Sequence, residues 1–565
     1  MKQIIFIASS LFIVTLSLQS TAQPQTLGLF SRTSASQDGY VLFTPMTSDN
    51  TYLIDKCGKS VHTWNGSRKP GASVYLLEDG SLLRAEGVGN TNFAVGGTGG
   101  AIVRYDWNGS ILWNYTISSD FECQHHDVCR LPNGNILTIV WDRKLPSEAK
   151  DAGRDPAHLG TELWSEKIVE LMPLGTTDAL VVWEWHVWDH LVQNIDASKP
   201  NYGAVIDNPG LIDINYYGNN APGVTDWLHI NGIDYNPALD QIMLSVHAFS
   251  EIWIIDHSTS SAVAAAHGGG RYGHGGDLLY RWGNPAAYKR GTATDQKLFG
   301  QHNARWIKAP RPDSGKIMIF NNGLYRPSQT YSSVDVINPP LLTGNGGYLL
   351  NGSSPYGPQT LYWQYQPPTS VHLYSAYMSG AQPLSNRNTL LCEGDNGRFI
   401  EVDTAGNIVW EYVNPIAVGP LNQGSNPNGM NNVFRCTQYP ATYSGFAGRT
   451  LTPGAPLELS PLTYTCKMGS SGGGTNGVSS LAENGQGIVA INPFDDDLTL
   501  QSRQSVRGAA LQLTDITGRV CQSWASVNFS AAGTIRLNIA QPLPPGVYLL
   551  HIASPDYDQV IKLKH

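Results

Sequence analysis

Charge is scarce in this chain. Only 14% of its 565 residues are Asp, Glu, Lys or Arg, and their balance is −9. No basic run stands out against that balance, which argues against a nucleic-acid partner. No Cys-x-x-Cys pair occurs, so a structural zinc site of the finger or ribbon kind is not expected. No phosphate-binding Gly-x-x-x-x-Gly-Lys-Ser/Thr loop occurs either. Beyond the first residues no apolar stretch is long enough to span a bilayer, so no stable membrane span is expected.

What is abundant is glycine (59), proline (34), tryptophan (15) and tyrosine (26). Few charges with many Gly, Trp and Tyr point to short strands and tight turns rather than helices. Lys2, the apolar run Ile4 to Leu18 and the small residues Ser20-Thr21-Ala22 read as a signal peptide over 1–22, cleaved before Gln23. A single N-terminal anchor is the other reading of the same flanks. Export makes disulfides possible for Cys57, Cys123, Cys129, Cys392, Cys436, Cys466 and Cys521, and the odd count leaves one thiol over. Cys123 and Cys129 are close enough in sequence to pair, and a bridge there would stiffen the segment holding His125 and His126.

Two patterns recur in residues 23–467. Leu76-Leu77-Glu78-Asp79-Gly80-Ser81-Leu82-Leu83 returns as Leu131-Pro132-Asn133-Gly134-Asn135-Ile136-Leu137 and, degenerately, as Leu384 to Leu390. Asp-Gly or Asn-Gly between apolar pairs signals a hairpin, because the turn needs positive φ. A second pattern ends in tryptophan, as in Tyr105 to Trp113, Val402 to Trp410 and, more loosely, Ile54 to Trp64. Repeated hairpins with recurring Gly and Trp suggest blades of a propeller, with an array of β-sandwiches as the alternative. Val182 to Asn194 has room for a short helix between blades. Residues 468–490 are a Gly/Ser-rich linker by composition. Residues 491–565 alternate as a small β-sandwich. Its ordered segments Asn492-Pro493-Phe494, Asp515-Ile516-Thr517-Gly518-Arg519, Pro545-Gly546-Val547-Tyr548 and a basic end resemble the C-terminal sorting domains of type IX secretion. That resemblance implies export through the periplasm to the cell surface or medium, with the type IX machinery as partner.

Fifteen histidines in so poorly charged a chain need a reason. His125, His126, His229, His247 and His302 each sit near the start or end of a candidate strand. In a propeller such positions converge on one mouth. Clustered imidazoles serve as metal ligands, as an acid/base set or as an anion cradle. Asp127 and Asp226 keep the metal reading in view.

The segments Asp226-Trp227-Leu228-His229-Ile230-Asn231, Gln301-His302-Asn303-Ala304 and His125-His126-Asp127-Val128 resemble signature segments of the arylsulfotransferase family. Gly276 to Pro285, Phe320-Asn321-Asn322-Gly323 and Ser379-Gly380-Ala381-Gln382 extend the resemblance in order from about Gly39 to Lys467. It implies an all-β, six-bladed propeller that moves a sulfuryl group from a phenolic sulfate to a phenol without a nucleotide donor. It also implies a histidine nucleophile and ping-pong kinetics. By the resemblance His302 is the nucleophile, with His229 and His126 as catalytic partners. Asn231, His247 and His125 fall to substrate binding, and neither a metal nor another cofactor is implied. Better-known members carry an arginine on the strand after the His-x-Asn segment, where this chain has His247. Such a histidine would hold sulfate with a charge that fades near neutral pH. Two rival readings remain, a metal-dependent hydrolase or lyase using the same histidines, and a non-catalytic surface-binding propeller.

Overall fold

The computed structural model describes residues 25–462, 466 and 488–565, apart from 328–329, 343, 345, 369–371, 491–496, 503–504, 516–518, 532, 542, 545 and 555–556. The expected signal peptide and nearly all of the expected linker lie outside the described residues. The chain is all-β and divides into two compact units between Gly469 and Ser470.

The first unit is built from groups of four antiparallel strands, the second and third of which join through a parallel pairing of Ala72 with His126 into one eight-stranded sheet. The first group runs Val433–Tyr439, Tyr40–Pro45, Thr51–Asp55, Ser60–Trp64, and the second Pro70–Leu76, Leu82–Gly87, Gly100–Tyr105, Ile111–Thr116. Glu122–Arg130, Ile136–Lys144, Leu163–Leu174 and Asp178–His186 make the third. The fourth is Ile230–Asn236, Gln241–Val246, Glu251–Asp256, Tyr280–Trp282, and the fifth His302–Trp306, Ile317–Asn321, Ser333–Ile337, Trp363–Tyr365. Gly380–Pro383, Thr389–Glu393, Arg398–Val402 and Ile408–Val413 form the sixth, which gains Gly28–Arg32 at its outer edge. The leading strand of each group packs against the leading strands of its two neighbours, from the first group around to the sixth and back to the first. Both ends of the unit are tied in. Val433–Tyr439 joins strands from the start of the chain, and a disulfide links Cys57 to Cys466. Cys123 and Cys129 are therefore not the bridged pair, and both carry free thiols.

The hairpin signals act as expected. Leu76 pairs with Leu82 across a turn in which Gly80 has φ +82°, and Gly134 has φ +101° in the second copy. The tryptophan pattern has a different purpose from the turns. Trp64 donates its indole N–H to the carbonyl of Asp106 (3.1 Å), Trp113 to that of Asp178 (2.8 Å), and Trp410 to that of Lys56 (2.9 Å). Trp183 reaches Thr259 Oγ1 (3.2 Å) and Trp282 the Pro358 carbonyl (2.9 Å). Each bond leaves an outer strand and ends on the next group, so a buried aromatic both fills the seam and satisfies a polar atom there. Trp183 and Trp185 belong to strand Asp178–His186, where a helix was expected, and only the turn Val187–His190 is helical.

In the second unit, one sheet runs Ile488–Ala490, Asp497–Ser502, Thr534–Asn538 and a second runs Val520–Phe529, Val506–Asp515, Val547–Ser554, Tyr557–Lys564. Leu498, Leu500, Leu511, Leu513, Leu550 and Ile552 from both sheets share one apolar core. Strand Ile488–Ala490 belongs here rather than to the linker that the composition suggests.

Candidate functional site

Three of the leading strands carry the same irregularity. Opposite the third group's leading strand, Thr138 faces Val128 but Ile139 faces His125, so His126 and Asp127 form a bulge. Register also shifts around Asn231 in the fourth group, and around Asn303 and Ala304 in the fifth. His126 and His229 have φ +53° and Asn303 has φ +52°. Positive φ in a residue with a side chain is uncommon and persists only where the surroundings enforce it. A bulge re-aims the side chains beside it, so one local device repeated in three groups turns histidines toward a common point. At Gly97 a side chain would overlap the His126 ring, at 2.0 Å, so only glycine lets that loop close over the imidazole.

The result is a circuit of rings. Ring centres lie 4.6 Å apart for His126 and His229, 5.3 Å for His229 and His247, and 5.4 Å for His247 and His302. Phe434, on the first group's leading strand, closes the circuit at 5.8 Å from His126 and 6.4 Å from His302. Four groups thus contribute to one place. His126 and His302 are almost wholly buried, while His229 and His247 are partly open. A cavity of about 890 Å³ lies elsewhere along the same leading strands, lined by residues such as Cys129, Arg130, Asp234, Arg305 and Trp306.

Hydrogen bonds fix what each ring offers. The Asn322 amide nitrogen donates to the carbonyls of Ser375 (2.8 Å) and Met378 (3.0 Å), so its oxygen faces His302. His302 Nδ1 must then donate to that oxygen, at 2.9 Å, which leaves Nε2 as a free lone pair. Burial, with the nearby charges of His229 and Arg435, pushes the His302 pKa down to about 3 despite the Asn322 bond, so the ring is neutral at working pH. Arg435 is held charged because Asp127, 3.0 Å away, outweighs the cost of burial.

His229 is the member whose charged form is favoured. Burial alone would lower its pKa, but the Asp226 carboxylate on its Nδ1 outweighs burial and raises it. Asp226 is itself oriented by the Trp141 indole N–H at 3.2 Å. At His247 the balance falls the other way. Burial, with His229 and His302 beside it, holds His247 well below the ordinary histidine value, so it enters the site neutral, with Nε2 buried and unpartnered.

His125 and Asn231, expected to touch substrate, are both sealed from solvent. Asn231 donates its amide to the carbonyl of Gln301 at 2.8 Å, which ties the strand of His229 to that of His302. His125 stacks flat on Trp141 at 3.8 Å, and its Nδ1 meets His126 Nδ1 at 2.9 Å. On its other side His125 Nε2 lies 3.0 Å from Glu166, a fully buried carboxyl. Burial, and then the neighbouring Asp226, hold that carboxyl protonated far above its usual range. His125 and His126 are held neutral, first by burial and then by His229. The Glu166 oxygen nearest His125 accepts the Ile230 N–H at 2.7 Å, and the bond between the two Nδ1 atoms requires one of His125 and His126 to donate there and so to leave its own Nε2 without a hydrogen. Asn322 falls within the Phe320 to Gly323 segment of the resemblance, but Glu166, Phe434 and Arg435 are not singled out by the sequence. Glu166 sits in the strand Leu163–Leu174, most of which is buried.

Residues 492–563 match the secretion system C-terminal sorting domain, which marks the chain for export to the cell surface or medium. No curated protein matches. Among solved structures, a protein of unknown function from Bacteroides caccae shares 12% identity at TM-score 0.39, covering 71% of this chain and 99% of its own. A protein from Lactobacillus plantarum shares 10% identity at TM-score 0.34, covering 89% and 100%. At those scores neither assigns a function. Residues 29–413 match the arylsulfotransferase (ASST) profile, more than half of the chain, and the chain belongs to the arylsulfotransferase family.

Proposed function

We propose that the first unit is a six-bladed propeller and that its ring circuit moves a sulfuryl group from an aryl sulfate ester to a phenol, without a nucleotide, through a sulfohistidine on His302. The second unit, read as a small sandwich, hands the chain to the type IX secretion machinery. The observation that carries the catalytic reading is the circuit itself. It sets one neutral lone pair (His302 Nε2) beside a histidine whose charged form is favoured (His229) and one bonded through Nδ1 to a second ring (His126), and we assign the Nε2–H of His126 as the proton donor.

Sulfuryl transfer passes through a loose transition state, so placement and charge dominate the barrier. His302 Nε2 attacks sulfur in line as the bond from sulfur to the aryl oxygen breaks. The departing phenolate takes the Nε2 proton of His126. His126 regains a proton at Nδ1 from His125, which regains one at Nε2 from Glu166. His125 and His126 stay neutral, while His302, keeping its Nδ1 hydrogen, becomes an N-sulfoimidazolium and Glu166 is left as the carboxylate. In the second half a phenol attacks the sulfo-imidazole, and its proton returns along the same path to Glu166. His229 and an N–H of His247 hold the sulfate oxygens, Phe434 gives the aryl ring an apolar face, and Asn231 acts by positioning. The rival metal-dependent hydrolase separates on one measurement. Turnover of a chromogenic aryl sulfate, with a phenol acceptor and ping-pong kinetics, should survive chelation below the melting range. A non-catalytic binding propeller would bind the ester without turning it over.

The charge on His229 gives this site a pH signature. Its pKa is raised, so the cation is present below that value and lost as pH climbs through it. KM for the anionic ester should therefore be lowest below the raised pKa of His229 and rise as pH climbs through it. Asp226→Asn removes the partner that raises the pKa, so the rise should move to lower pH. Near neutrality KM should be about tenfold higher, equivalent to roughly 1.4 kcal/mol of lost anion binding. If Asp226→Asn leaves the KM profile unmoved, His229 does not supply the charge.

A further inference from the structure

Away from the circuit, three donor side chains lie within 4.8 Å of one another: His190, His267 and Asp277. His190 ends the turn after the third group's outer strand. His267 and Asp277 bound a loop in the connection between the last two strands of the fourth. We propose that these residues form a zinc site that clips the two groups together.

The argument begins at His190, which is completely buried. Its Nε2 lies 2.8 Å from the carbonyl oxygen of Ala264, an atom that only accepts. Nε2 therefore carries a hydrogen, and in the neutral ring Nδ1 holds the lone pair. That lone pair faces Asp277 Oδ1, a second acceptor, at 2.8 Å. Two acceptors at that distance repel unless a cation joins them. His267 brings a third donor atom, its Nδ1, to the same oxygen at 2.8 Å. The two imidazoles stand 5.9 Å apart at 86°, and the His190 ring is held flat against Trp185. A ring whose far nitrogen is pinned to a backbone carbonyl, with its near nitrogen aimed at a carboxylate and a second imidazole, has the surroundings of a metal ligand.

The donor set selects the ion. Two imidazoles and one carboxylate suit Zn²⁺, whereas Ca²⁺ and Mg²⁺ require oxygen-rich shells. Three protein donors leave one position of a tetrahedron for water. The loop between the donors needs such a clip. Six of the nine residues from 268 to 276 are glycine, the residue that loses most conformational freedom on ordering. At Gly276 an added side chain would stand 2.7 Å from His190 Nε2 and 1.9 Å from the Ala264 carbonyl. Glycine there is what lets the loop press against the ligand. The Trp185 indole N–H donates to the Gly276 carbonyl at 2.7 Å, so the same seam is already bonded once across the groups. The absence of Cys-x-x-Cys excludes only thiolate sites, and positions 190, 267 and 277 have no spacing that a sequence would reveal.

The test uses the mature chain, stripped of metal with a chelator and titrated with Zn²⁺ alone. Calorimetry and elemental analysis after gel filtration should give one zinc per chain and a melting temperature raised by several degrees. Mg²⁺ should do neither. His267 is largely exposed, so His267→Ala should melt like the metal-free wild type while binding zinc about 100-fold more weakly or worse. Asp277→Asn should lose zinc similarly. Zinc retained equally by both variants would place it elsewhere in the molecule. No retention by wild type would leave a proton as the cation between His190 and Asp277. Either result overturns the proposal.

Discussion

His302→Ala should abolish turnover while leaving a folded protein. Removing a nucleophile that acts within a coordinated set costs far more than removing a binding contact, because the covalent route itself is lost. A fall of at least about 10⁴-fold in kcat is expected, which corresponds to about 5.5 kcal/mol of barrier. The structural cost should be much smaller. The substitution empties a small buried volume and leaves the Asn322 oxygen without its donor, a penalty of about 1–3 kcal/mol. A melting temperature lowered by a few degrees alongside absent turnover would match. Turnover within tenfold of wild type would move the nucleophile elsewhere. His229 ranks next on sequence alone, but its ion pair with Asp226 occupies it as a cation. His126 would then be the stronger candidate.

Glu166→Gln should produce the second largest effect, and its size should depend on the leaving group. Glutamine keeps the shape and can still accept the Ile230 N–H, but its amide cannot give a proton up. With a highly acidic phenol as leaving group the phenolate departs without help, and kcat should change by less than about tenfold. With a weakly acidic phenol the departing oxygen needs the proton, and kcat should fall by about 10²-fold or more, the usual range for losing a general acid. A plot of log kcat against leaving-group pKa should therefore be steeper for the variant than for wild type. A purely structural role for Glu166 would lower all substrates equally and leave the slope alone. Parallel lines for the two proteins would remove the relay from the mechanism, without touching the assignment of His302.

Much of this was legible in the sequence because it is local. Asp79-Gly80 and Asn133-Gly134 mark turns through backbone freedom within a few residues, and the turns form there. The tryptophan repeat was visible as a pattern, but its purpose was not. Trp64, Trp113 and Trp410 bond to carbonyls on the neighbouring group, and nothing within a repeat points to an acceptor outside it. The five histidines could be gathered because their flanking segments resemble a family, and the structure brings them together. What each one does depends on partners distant in sequence. Asn322 decides which nitrogen of His302 is free from twenty residues away. His229 and His247 are pushed in opposite directions, because Asp226 lies against one ring and burial dominates at the other. The bulges at His126, Asn231 and Asn303 left no trace, since a non-glycine residue at positive φ looks like any other until the register is known. The cysteines illustrate the same limit. Cys123 and Cys129 are near in sequence, but the bond joins Cys57 to Cys466, across a separation of 409 residues.

The covalent intermediate on His302 is the central claim, and intact-mass analysis of the mature protein tests it most directly. The enzyme would be exposed briefly to an aryl sulfate without acceptor, quenched under alkaline conditions that spare phosphoramidate-like N–S bonds, and weighed. A gain of one sulfuryl group per chain is expected. It should map to the peptide containing His302, vanish on adding a phenol, and be absent in His302→Ala. A wild-type mass that does not change while the ester is being turned over, or a sulfuryl group that persists in His302→Ala, would contradict it.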